Sequence, residues 1–304
     1  MRILVKVLGV ILALAVLFAG YLFIQVRNID VEQLSEDLWV LRGLGGNTAV
    51  LKTSAGAVVV DTMTFGIQGS RIMAVAEELT GSAPTLIINT HYHFDHTHGN
   101  PAFPQGTRVI ATERTKLYLQ TLDAEAWQGE AAALMPNETF ADSHTLSYGG
   151  KTIELIHPGN GHTNGDLVVL FQDERVIHLG DLMFNKHYPN IDLEAGGTVQ
   201  AWPATLDAVL ALDFDRVIPG HGATTDANGL RQFQAFIRQL GDIARTASAE
   251  DWDLVKMQST DLLTEDAGYE PVTFVIPLGL DRNFVLTRAW EEVTGNFNTG
   301  QIIN

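Results

Sequence analysis

The chain has 304 residues, 46% of them hydrophobic and 18% charged, a balance that supplies a real core and excludes a disordered polymer. Its formal net charge of −17 repels nucleic acid, whose binding depends on neutralising phosphates with Lys and Arg. With no cysteine, disulfides, thiolate metal ligands and an N-terminal lipidated cysteine are all excluded.

Val7 to Ile24 carries no charged residue and follows Arg2 and Lys6. The run reaches the ~18-residue threshold of a membrane-spanning helix and exceeds the ~7–15 residues of a signal-peptide apolar region. Cleavage after Ala19 would set Leu17 at a position that wants a small residue, and cleavage after Gly20 would set Phe18 there. An uncleaved N-terminal transmembrane helix over residues 1–26 is therefore expected, with a cleaved signal and a secreted product as the alternative. Basic residues ahead of the span and Asp30, Glu32, Glu36 and Asp37 behind it put the N-terminus in the cytoplasm. In a bacterium the remainder would then face the periplasm or the extracytoplasmic side, anchored to the inner membrane.

Residues 27–246 read as one domain of alternating strands and helices. Leu38–Arg42, Asn47–Lys52 and Ala57–Asp61 are short strands separated by glycine turns. Ile67–Leu79 is a helix ended at Gly81, and Thr85–Asn89 is a buried strand. Thr107–Ala111 is another strand, followed by a long helical stretch from Thr112 to about Leu134. Short strands flank Tyr148-Gly-Gly-Lys151 within Asn137–Ile156. Three more strands, Asp166–Phe171, the one ending at Asp181 and the one ending at His221, are followed or separated by helices near Val199–Leu212 and Asn228–Ile243. In the last of these Leu230, Phe233, Ile237 and Leu240 recur at helical spacing. Residues 247–304 form a short helical extension packed on the domain, with Asp281–Val293 as a helix, Asp281 as its N-cap and Gly295 closing it.

The strand Thr85–Asn89 runs into His91-Tyr-His93-Phe-Asp95-His96. In extended backbone His91, His93 and Asp95 share one face, and a turn brings His96 to join them. Imidazole and carboxylate are the ligands zinc takes when no thiolate is available. A lone histidine here would read as a polar surface residue; four such groups in six positions, directly after a strand, do not. Three further candidates stand at strand ends: His162 in Gly-His-Thr, Asp181 after Leu-Gly, and His221 after Pro-Gly. A glycine just before a ligand permits close backbone approach and a sharp turn.

The order HxHxDH, His, Asp, His resembles that of the metallo-β-lactamase fold superfamily over roughly residues 35 to 245. The resemblance implies a mixed α/β (α+β) fold, a four-layer αββα sandwich. It implies two zinc ions per chain, with iron or manganese as substitutes. His91, His93 and His162 would hold one ion, Asp95, His96 and His221 the other, and Asp181 would bridge. The glyoxalase II and lactonase pattern, with a bridging aspartate, is nearer than that of the cysteine-ligated β-lactamases.

The implied reaction is attack on an ester, lactone, thioester or amide carbonyl of a small molecule by a hydroxide held between the metals, with Asp95 orienting it and carrying its proton. His187 and Tyr188, in the segment Met183 to Val199, are candidates to hydrogen-bond the substrate, and an ordered surface loop is the equal alternative. Asp61 reads either as an acceptor for a ligand imidazole or as a turn residue. Thr163 and Asp166 either support His162 or shape its turn, with shape favoured. His98 is expected to face solvent, and His144, His157 and His178 to be structural. The alternatives in function are a mononuclear iron oxidoreductase resembling persulfide dioxygenases, using His91, His162 and Asp181, a β-lactamase, and a metal-stabilised binding protein without turnover.

Overall fold

The computed structural model describes residues 16–18, 20–21, 23–273 and 278–297. Most of the apolar run Val7–Ile24 lies outside them, and no helix among the described residues is long and apolar enough to cross a membrane.

Two sheets stack face to face. The first has seven strands in chain order: β1 (Asp30–Gln33), β2 (Leu38–Arg42), β3 (Thr48–Leu51), β4 (Ala57–Val60), β5 (Pro84–Ile88), β6 (Arg108–Thr112) and β7 (Glu138–Phe140). Strands β1 to β4 form an antiparallel meander, and β4 to β7 run parallel. The crossover from β4 to β5 is α1 (Gly66–Thr80), and that from β5 to β6 includes the one-turn α2 (Phe94–Thr97).

The second sheet has five strands: β8 (Ser143–Tyr148), β9 (Lys151–Ile156), β10 (Val168–Phe171), β11 (Val176–His178) and β12 (Arg216–Ile218). Only its β11–β12 pair is parallel.

Side-chain alternation explains why these strands are apolar almost without a break. Val58, Val60, Leu86 and Ile88 meet Ile153, Leu155, Val169 and Phe171 between the sheets. Their neighbours Ala57, Val59 and Ile87 pack instead under Ile72, Val75 and Ala76 of α1. A strand covered on both faces needs both residue sets apolar.

On the far side of the second sheet lie α4 (Trp202–Leu210), α5 (Ala227–Ala249), α6 (Leu254–Gln258) and α7 (Arg282–Thr294). Val168, Leu170, Ile177 and Val217 share a core there with Phe233, Phe236, Ile237, Val285 and Leu286. The result is the four-layer order of helix, sheet, sheet, helix. Asp281 caps α7 by accepting from Phe284 N, and Gly295 closes it at φ 68°.

The expected helix from Thr112 to Leu134 is shorter: α3 spans Glu113–Thr121 and a 3-10 turn follows at Gly129–Leu134. Asp123 accepts from Trp127 Nε1 at 2.8 Å, and Gly129 has φ 59°, so the chain folds back between them.

Candidate metal centre

The parallel strands β4, β5, β11 and β12 end at one rim, and there the sequence places Asp61, His91, Asp181 and His221 just beyond them. Loops outside the carboxyl ends of parallel strands are where such folds build sites. At His93 the backbone is extended, and α2 then coils, carrying Asp95 and His96 back toward His91. Close approach of the Asp181 and His221 loops depends on Gly220. A methyl group there would strike Asp181 Oδ1 and the Gly180 backbone.

Seven side chains converge in two groups, His91, His93, His162 and Asp181 in one and Asp95, His96 and His221 in the other, with ligating atoms of each group within 4.8 Å of one another. In the first, His93 Nδ1 stands 3.1 Å from His91 Nε2 and 2.8 Å from His162 Nε2. Asp181 Oδ2 lies 3.5 Å from His162 Nε2 and 3.7 Å from His91 Nε2. In the second, Asp95 Oδ2 lies 3.2 Å from His221 Nε2 and 3.6 Å from His96 Nε2. Asp181 Oδ1 lies 3.4 Å and 3.1 Å from the same two nitrogens. Its two oxygens are thus divided between the groups. Around one ion at the ~2.0–2.1 Å of a zinc–imidazole bond, tetrahedral ligands stand roughly 3.3 Å apart.

Proton positions decide what this packing means. His162 Nδ1 faces the carbonyl of Asn190 at 2.8 Å, and a carbonyl only accepts, so that nitrogen carries the proton. His96 Nδ1 donates likewise to Asp61 Oδ2 at 2.7 Å, and His93 Nε2 to Asp192 Oδ2 at 3.1 Å. His91 Nδ1 faces Thr90 Oγ1, whose own proton goes to Asp61 Oδ2. Rings held this way turn their other nitrogen inward, toward one another and toward carboxylate oxygens, and in the neutral form that ligates a metal each presents a lone pair there. His96 Nε2 and Asp181 Oδ1 are buried with no hydrogen-bond partner. Unsatisfied buried acceptors cost about 1–3 kcal/mol each, and cations between them remove that cost. The donor set therefore fits two divalent ions, and imidazole with carboxylate suits zinc.

The surrounding charges act unevenly on the rings: burial lowers His91 and His162, whereas nearby carboxylates outweigh burial and raise His93, His96 and His221. Burial pushes His162 down to about 4, so it is neutral at pH 7. Burial also lowers His221, but the carboxylates of Asp181 and Asp95 outweigh it and bring it up to about 9. Burial would raise Asp181, yet the imidazoles of His96, His221 and His91 hold it well below the carboxylate range.

Of the two readings the sequence left open for Asp61, the structure shows the acceptor for an imidazole: it accepts from His96 and also from Thr90. Thr163 and Asp166 shape a turn, since Asp166 accepts from Thr163 N at 2.9 Å and Thr163 Oγ1 at 2.6 Å. His98 does not face solvent freely; it bonds Asp123 Oδ2 at 2.8 Å and packs edge-on to Trp127. Tyr188 is not brought to the cluster: its hydroxyl donates to Asp266 at 2.9 Å and its ring packs near Phe236 and Tyr269. His187 lines a cavity of about 560 Å³ that also touches His221 and Arg42.

Sequence reasoning missed Asp192, Asn190 and Thr90. Asp192 accepts from Tyr92 Oη at 2.5 Å as well as from His93. No spacing marks these residues, because each reaches the cluster from a loop position that only the folded backbone defines. A second cavity, of about 680 Å³, opens on the cluster through His93, Asp95, Asp181 and His221.

Residues 41–221 match the family model described as the metallo-beta-lactamase superfamily. Among curated proteins, the chain is similar to a metallo-beta-lactamase type 2 of Bacillus sp. (strain 170), 26% identical over 66% of this chain and 78% of that protein. It is also similar to the 2,4-dinitroanisole O-demethylase subunit alpha of Nocardioides sp. (strain JS1661), 24% identical over 64% of this chain and 58% of that one. Among solved structures, a metallo-beta-lactamase from Pontibacter korlensis superposes with a TM-score of 0.60 at 23% identity, covering 69% of this chain and 99% of that one.

Proposed function

Because the chain belongs to the metallo-beta-lactamase superfamily, whose members are metal-dependent hydrolases, we propose that it is a dinuclear zinc hydrolase cleaving the acyl C–O, C–S or C–N bond of an ester, lactone, thioester or amide. The observation that supports this reading is the set of inward lone pairs, split into two groups by the two oxygens of Asp181. Zinc ions held there would bring the pKa of a water down to ~7 and polarise the substrate carbonyl.

The chain's own residues supply the rest. Asp95 faces both the cavity and His221, where a carboxylate can take the proton of the attacking water and deliver it to the leaving group. Asp61, Asp192 and the Asn190 carbonyl lock His96, His93 and His162 in the tautomer that ligates. Phe184 stacks on His221 at 4.9 Å and keeps water from that side of the ring.

The test is metal analysis of the full chain beside turnover of chromogenic ester, lactone, thioester and β-lactam substrates. About two zincs per chain with carbonyl hydrolysis is the expected result. One iron per chain with oxygen uptake would replace this reading by the oxidoreductase. The apolar run Val7–Ile24 is proposed to anchor the enzyme to the inner membrane, facing outward. Recovery of full-length protein in the carbonate-washed membrane fraction is expected, and recovery as soluble protein would reject the anchor.

A further inference from the structure

The cavity that opens on the cluster has one wall that the family match does not reach. Val272, Leu278 and Leu280 line it from the C-terminal extension, beyond residue 221, and Phe94, Leu122 and Phe184 complete the apolar surface. Its charged lining residues away from the imidazoles are acids alone: Asp95 and Asp181 of the cluster, and Asp123 near the mouth. No Lys or Arg lines it among the described residues, and the stretch from Val272 to Leu280 (Val-Thr-Phe-Val-Ile-Pro-Leu-Gly-Leu) contains no charged residue at all.

Nearby cations are engaged elsewhere. Arg42 lines the other cavity and bonds Glu32 at 2.6 Å, Arg282 bonds Asp266 at 3.2 Å, and Lys186 lies over the Tyr269 ring. The Tyr92 hydroxyl is committed to Asp192, and the Asp123 carboxylate to His98 and Trp127. An apolar substituent gains by burial on such a wall, whereas a carboxylate away from the reacting carbonyl would be desolvated beside Asp123 with no partner.

We propose that the C-terminal extension is a selectivity wall, and that the substrate is an uncharged carbonyl compound bearing an apolar chain or ring. The proposal rests on the hydrolase reading for its chemistry but not for its binding preference, so the two are tested apart.

Turnover by the zinc-loaded full chain is compared for p-nitrophenyl octanoate and p-nitrophenyl hydrogen suberate, which differ in a terminal methyl against a carboxylate. Binding is compared by calorimetry for 2-octanone and 7-oxooctanoate, which differ in the same way and cannot be hydrolysed. In both pairs the uncharged member is favoured by at least ~30-fold, about 2 kcal/mol at 1.4 kcal/mol per factor of ten. Leu278→Arg, at a half-buried wall position, shrinks both ratios to within about fivefold by giving the carboxylate a partner. If that variant does not fold, Leu122→Arg, at a position 40% exposed, serves in its place. Ratios near one, or a preference for the carboxylate, in the wild type overturn the proposal. If neither ester is cleaved, the ketone pair alone decides the wall, and the hydrolase reading is decided by the lactone, thioester and β-lactam assays.

Discussion

Asp192 accepts from Tyr92, from His93 and from the backbone amides of Glu194 and Ala195, so one carboxylate ties a ring of the candidate metal cluster to the loop above it. Asp61 does the equivalent for His96 at a positive φ of 62°, a backbone state that Asn also tolerates. Each should therefore set the affinity of a different ion. Asp192→Asn is expected to weaken the first metal by ~10–100-fold and Asp61→Asn the second by a similar factor, as read by competition with a chromogenic chelator. Loss of neither metal would reduce both residues to loop anchors. Asp166 offers a test of pH dependence. Burial, partly opposed by hydrogen bonds from Thr163, pushes it up to about 7, above the ~3.9 of an unfolded chain. The native state then binds the extra proton between those values, so this group's contribution to stability is present below pH ~4 and is lost as pH rises to about 7. Denaturant midpoints of the wild type should fall relative to Asp166→Asn across that window, and parallel midpoints would contradict the shift.

At the scale of elements, the extension is joined to the domain by more than apolar contact. Glu292, near the end of α7, accepts from Thr198 Oγ1 at 2.5 Å and from Val199 N at 2.8 Å, just ahead of α4. Arg288 of the same helix donates to the carbonyl of Ile191, next to Asp192. Removing the carboxylate leaves backbone donors unpaired at a half-buried place, so Glu292→Ala should cost about 1–3 kcal/mol of stability. Zinc content should stay unchanged, measured on the same sample, because no ligand bonds that side chain. Helix α5 was the element most legible in the sequence. Leu230, Phe233, Ile237 and Leu240 recur on one face, and all four are buried. The helix begins where Asp226 accepts from Asn228 N and Gly229 N. Strand β1 was not legible, since Asp-Val-Glu-Gln has one apolar residue and is held by pairing with β2 and by bonds that Glu32 accepts from Arg216 and Thr224.

Over the whole molecule, the core behind the second sheet runs without a break from Val168 through α5 to Leu286 of α7. A chain cut at residue 246 should expose that apolar surface and aggregate, as light scattering would show. Withdrawing the metals should also destabilise the fold, because the buried lone pairs and carboxylates of the cluster lose counter-charge. Each site loaded at 100 times its Kd adds about 2.7 kcal/mol, so chelation should lower Tm, and an unchanged Tm would speak against metal in the cluster. The amino-acid order alone determined the strand cores, the helix faces and the seven metal-binding candidates, because hydrophobic period and donor chemistry are local properties of a sequence. Tertiary structure alone decided that Asp192 and Asn190 hold the imidazoles, that Tyr188 turns to Asp266, and that Val272, Leu278 and Leu280 wall the cavity. Those relations join positions far apart along the chain, and only two sheets closing on each other bring them within hydrogen-bond reach.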